Sequence, residues 1–268
     1  MIPEETRSRR DLLAAVTGGA LLGALWGAAF PIVATERRPT IAVVGHRNAQ
    51  VVLIDSSARA LLLIGEPDDE LMDVLPAIMT VFRQRIDLLV ATPRVLAQWA
   101  GILQQRWHIR HALALGGDAP LPSGIPATVV TDSMDVSLHS DTRLALRIGH
   151  RDDWRSYASP VDQTMWCATL HAPAGTVTIA PDSASISAIG PAASTLMIIP
   201  NAPAHEILAV SPAAALAVNF DGDSIPLADT SGPAVTRIYP QDVARIVIAS
   251  DGIELPEWTT ILPTGSIR

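Results

Sequence analysis

The stretch Ile86–Leu103, IDLLVATPRVLAQWAGIL, carries an apolar segment into a proline and then into residues at helical spacing. A strand, a turn and a helix in that order make the corner where α/β proteins usually mount their chemistry. Yet Thr92–Gly101 holds no His, Asp, Glu, Cys or Ser, and Arg94 is its only charge. Upstream, Thr40–His46 (TIAVVGH), Ala49–Ser56 (AQVVLIDS) and Arg59–Glu66 (RALLLIGE) read as three strands separated by short turns. Residues 68–85 open with acidic side chains suited to a helix start and continue at helical spacing, with Pro76 expected to kink or break the helix. The quoted stretch then supplies a buried strand (IDLLVAT) and a helix over Val95–Gln105. His111–Gly117 (HALALGG) adds another strand.

From Ala127 onward strands dominate: ATVVT, TRLALRIG, TMWCATLHA, GTVTIAPD, STLMIIP, AALAVNF and VARIVIAS, with short helices expected near Ser185–Ala193 and Pro203–Ala209. No linker or repeat divides the body. The order of elements predicts an α/β fold with two sheets at its core and helices outside, an αββα sandwich.

The chain has 268 residues, enough for a sizeable core, but only 4% are aromatic, so Ala, Val, Ile and Leu must fill the interior. All 19 basic side chains are Arg, and the formal charge is −8. An acidic body argues against a sequence-independent grip on nucleic acid, which needs a basic surface to displace counterions. The single Cys167 excludes an intrachain disulfide and leaves the redox compartment open.

Residues 1–38 set the expected location. Between Asp11 and Glu36 lie 24 residues without a charge, enough to cross a hydrocarbon core as a helix. Ser8–Leu13 (SRRDLL) resembles a twin-arginine export signal with Arg9 and Arg10 as the pair, and Ile32–Ala34 would then precede a cleavage site. The alternative is an uncleaved transmembrane anchor with Trp26 and Phe30 near its far end, which the length of the run favours. In both readings Arg7, Arg9 and Arg10 keep the N-terminus in the cytoplasm, and residues 39–268 face the periplasmic side as one domain.

Taken in order, these segments resemble the metallo-β-lactamase superfamily, most closely the extracytoplasmic domain of the DNA-uptake competence channel family. Val43–Gly65 (VVGHRNAQVVLIDSSARALLLIG) stands where that family has its opening strand, a DVGQGDA-like turn and ILIDGG. Leu88–Ile102 (LLVATPRVLAQWAGI) stands at LLLTHPHADHIGGL. Thr178–Asp182 (TIAPD), Met197–Ala204 (MIIPNAPA) and Tyr239–Gly252 (YPQDVARIVIASDG) stand at the later motifs. The resemblance implies a metallo-β-lactamase-like sandwich whose metal ligands are lost. Pro93 and Val95 replace the first two His, Ala97 and Gln98 replace the Asp and His, and Asn201–Ala202 replaces the final His pair. Asp182 alone keeps a carboxylate, and one carboxylate does not make the converging ligand set that Zn²⁺ needs. Trp99 is expected to fill the vacated cavity.

Other constellations carry little. His108 and His111 lie three apart, a spacing that aligns two imidazoles only on a helix. His171 and His205 read as structural, and Asp182 as a cap for backbone donors. No G-x-S-x-G occurs; Gly116–Gly124 lacks the Lys of a phosphate loop, and Asp221–Asp223 with Asp229 lacks a calcium ladder. The expected function is therefore that of a pseudoenzyme without cofactor or small-molecule substrate, an accessory subunit of a respiratory, photosynthetic or secretion complex. The alternatives are a DNA-handling relic, marked by an Arg143, Arg147, Arg151 and Arg155 stripe, and a hydrolase with an unrecognised site.

Overall fold

A computed structural model describes residues 38–47, 49–79, 84–117, 120–149, 164–190, 194–200, 214–218, 234–238, 243–249 and 252–254. They lie in one compact unit, Arg38–Arg268. The first strands follow from runs whose central positions are apolar on both faces, with polar residues near their ends. β1 (Thr40–His46), β2 (Ala49–Asp55) and β3 (Arg59–Ile64) form antiparallel hairpins, and nearly every residue in them is buried. A strand buried on both faces must have something packed on each side of its sheet.

α1 (Asp69–Ile78) follows. Its start is fixed by Asp68, whose Oδ1 accepts the Leu71 N–H at 2.7 Å, with Asp69 and Glu70 in the first turn. Next come β4 (Arg85–Ile86), β5 (Leu88–Ala91), α2 (Pro93–Gln104), β6 (His108–Ile109), β7 (Ala112–Leu115) and β8 (Ala127–Val130). The remaining elements are β9 (Ser133–His139), β10 (Thr142–Gly149), β11 (Met165–Ala172), β12 (Gly175–Ile179), α3 (Ser183–Ile189), β13 (Leu196–Pro200), β14 (Ala214–Val218), β15 (Ala234–Ile238), β16 (Val243–Ala249) and β17 (Gly252–Glu254).

The strands assemble into an eight-stranded sheet, β17-β16-β1-β2-β3-β5-β7-β8, and a seven-stranded sheet, β15-β14-β13-β12-β11-β10-β9. β4 and β6 form a two-stranded parallel sheet of their own. In the large sheet β3, β5, β7 and β8 run parallel, while β16, β1, β2 and β3 are antiparallel neighbours. β1 is held by β16 from the far end of the chain, with Thr40 opposite Val247 and Val44 opposite Val243. One core joins both sheets, including Val43, Val52, Leu62 and Val90 from the first and Leu146, Ala168 and Ile198 from the second. A second core packs the other face of the first sheet (Val51, Leu61, Leu89) against Leu75 of α1 and Leu96, Trp99 and Leu103 of α2. A small third cluster lies under Ile186 of α3.

This corrects the expectation of an α/β, αββα metallo-β-lactamase-like sandwich. The described chain is mostly β-sheet, with seventeen strands in three sheets against three helices. The helix expected over 68–85 ends at Ile78, and the one near Ser185–Ala193 is a seven-residue segment ending at a left-handed Gly190. Helices this short do not make a layer on each side. No helix among the described residues is long and apolar enough to cross a membrane. Residues 1–37, with Arg9, Arg10 and Trp26, lie outside the described residues, as does the expected helix at Pro203–Ala209.

Candidate functional site

The corner that opened the sequence reading lies at the carboxyl ends of β3 and β5. Thr92 takes an extended conformation (φ −65°, ψ 154°) and Pro93 begins α2, where a missing N–H costs nothing. The Thr92 hydroxyl does not cap the helix; it is buried and has no hydrogen-bond partner. After β7 the chain turns through Gly116 and Gly117, both left-handed (φ 67° and 73°), and Gly117 passes close to the Pro93 ring.

α2 then sorts its residues by face. Pro93, Leu96, Trp99, Ala100 and Leu103 are buried against the sheet. Trp99 has no exposed surface, and its Nε1–H donates to the Gly65 carbonyl at 3.0 Å, just past the end of β3. The outer turns grip the same loop by charge. Arg94 donates to Glu66 at 2.9 Å, and Gln98 hydrogen-bonds the same carboxylate; Gln98 first and then Arg94 hold Glu66 below the usual carboxylate range.

The positions singled out from the sequence thus divide. Pro93 is buried, Val95 and Gln98 are half-buried, and Ala97 is exposed, so they are spread around the helix rather than gathered on one face. Asp182 caps α3, its Oδ1 accepting the Ser185 N–H at 2.7 Å. His108 lies in β6, and His111 pairs with the Thr128 hydroxyl at 2.9 Å, so extended chain removes the helical alignment that their spacing required. Asn201, His205, Asp221–Asp223 and Asp229 lie outside the described residues. So do Arg151 and Arg155; Arg143 and Arg147 share Asp135, at 3.3 and 3.2 Å, which neutralises much of that part of the stripe. Cys167 is buried, and burial first, with Asp182 adding to it, pushes its thiol up to about 12.

Sequence reasoning missed a second cluster beside the corner. His46, at the end of β1 and 8% exposed, places Nδ1 2.7 Å from Asp68 and Nε2 2.9 Å from Glu70. Its two ring nitrogens thus each face a carboxylate, one at the α1 cap and one in the first turn of α1. Burial raises the Asp68 carboxyl, but the Leu71 N–H and His46 outweigh it and leave it below its ordinary value. The 22-residue separation of His46 and Asp68 is no motif; only the β1–β2 turn and the α1 start bring them together. The carboxylates lie on different ring nitrogens rather than around one point, and no three His, Cys, Asp or Glu among the described residues are grouped to hold a metal ion. No family model matches the chain, and no curated protein matches it.

Proposed function

We propose that this chain is a non-catalytic accessory subunit of a membrane protein complex, held at the cytoplasmic membrane by its uncharged N-terminal run with its body on the periplasmic side. The observation that carries the reading is Trp99: fully buried and bonded to Gly65, it fills the corner where a reacting group would have to sit. Of the polar groups beside it, Arg94 and Gln98 bond Glu66 and His46 bonds Asp68 and Glu70, while the Thr92 hydroxyl is buried. The run of 24 uncharged residues between Asp11 and Glu36 supplies the membrane link.

The test is isolation of the native protein in mild detergent, with its N-terminal residue determined. A fixed set of stoichiometric companions is the expected result, and a start at Met1 would mark the run as a retained anchor. Recovery as a lone monomer overturns the subunit reading. Turnover of an ester, phosphodiester or lactam at the rate of an ordinary hydrolase overturns the non-catalytic one.

A further inference from the structure

At the opposite end of the parallel strands from the Trp99 corner, the chain forms a cavity of about 520 Å³ at the amino ends of β3 and β5. Its lining includes Ser57, Arg59, Gln84, Arg85, Asp87 and Arg110. Three guanidinium groups around one cavity are unusual on a chain whose net charge is −8.

Arg59 is 1% exposed and its guanidinium pairs with Asp55 at 3.0 Å. Asp87 is held from two sides, its Oδ2 accepting the Arg59 backbone N–H at 3.1 Å and its Oδ1 pairing with Arg85. Asp55 and Asp87 thus balance two of the three cations. Arg110 is the surplus, with no ion-pair partner among the described residues. It is fixed by its backbone, whose N–H donates to the Ile86 carbonyl at 2.9 Å. A guanidinium cannot shed its proton to escape such a site, and its planar fork matches the oxygens of a carboxylate or phosphate. Gln84 and Ser57 add neutral polar groups to the lining. The volume is that of a small organic molecule rather than a single ion.

We infer that this cavity binds a small organic oxyanion, a phosphate- or carboxylate-bearing molecule, through the juxtaposed Arg85 and Arg110. The inference does not depend on the subunit proposal, since the cavity and the Trp99 corner lie at opposite ends of the same strands.

The test is calorimetric titration of the full chain with inorganic phosphate and, separately, with citrate, at fixed ionic strength. Saturable binding of one probe per chain is expected, and the tighter probe identifies which oxyanion the forks prefer. Arg110→Gln and Arg85→Gln, both at exposed side chains, are each expected to weaken it tenfold or more. Arg106→Gln, outside the cavity lining, should leave it unchanged. Circular dichroism of each variant confirms that it folds. Absence of saturable binding for both probes overturns the inference. So do equal affinities in wild type and the two cavity variants, or an equal loss in Arg106→Gln, which would mean general charge attraction.

Discussion

Replacing Trp99 by Ala tests the closed corner most directly. The substitution removes a side chain with no exposed surface from the core between the first sheet and α2, and with it the donor to the Gly65 carbonyl. Truncating a buried Trp costs about 3–5 kcal/mol. A carbonyl left without its partner adds about 1 kcal/mol unless water reaches it, so a total of about 5 kcal/mol is expected. With a urea m-value of about 3 kcal/mol/M for a body of this size, the midpoint should fall by about 1.7 M. Trp107 and Trp166, both buried, still report unfolding by fluorescence in the variant. Trp99→Phe keeps one aromatic ring in the core but loses the five-membered ring with its N–H, and a smaller loss of about 2–3 kcal/mol is expected. A midpoint shift below about 0.3 M for Trp99→Ala at unchanged m would mean that the corner is not packed as described, and the reasoning built on it would fail.

Asp68→Ala should cost about 1–2 kcal/mol in the same assay by removing the α1 cap. Because the Asp68 carboxyl is held below its ordinary value in the fold, its contribution is full above the unfolded-state value and is lost as pH falls through the lowered one. Urea midpoints for Asp68→Asn should therefore fall less steeply on acidification than those of wild type; parallel curves would refute the coupling. Gly116→Ala should destabilise by about 1–3 kcal/mol, since φ is +67° and an added Cβ would lie 2.6 Å from the Thr164 methyl. Calorimetry should show a Tm drop of at least 2 °C. Cys167 should resist thiol reagents in the native protein and react within minutes once unfolded, because its thiol is buried and raised to about 12; rapid native labelling would contradict the described packing of β11.

What the sequence disclosed followed from local signals strong enough to stand alone. The apolar runs at Thr40–His46 and Arg59–Glu66 and the acidic start at Asp68–Glu70 give strands and a helix there, and the helix expected over Val95–Gln105 spans Pro93–Gln104. β9 escaped because Ser133–His139 alternates with mostly polar residues at a sheet edge, where one-sided burial leaves a thin apolar signal. The helical spacing over 68–85 runs past Met79, which turns extended (φ −87°, ψ 98°), to Arg85, which lies in β4. At the corner, buried Trp99 was anticipated, but its bond to Gly65 and the Glu66 grip of Arg94 and Gln98 were not. Those contacts join α2 to the turn after β3, about 30 residues apart, and no spacing rule encodes them.

The pairing of β1 with β16 carries a consequence for biosynthesis. The outer edge of β1 waits open until Val243–Ala249 has been made. At about 5–20 residues per second, some 200 intervening residues take roughly 10–40 s, during which an apolar strand presents unpaired N–H and C=O groups. The seven-stranded sheet has all of its strands before β16 emerges. Closing the seam beside β1 then falls to β16, with β17 paired on its far side, so a chain cut short before Val243 should accumulate as an aggregation-prone, open-edged species.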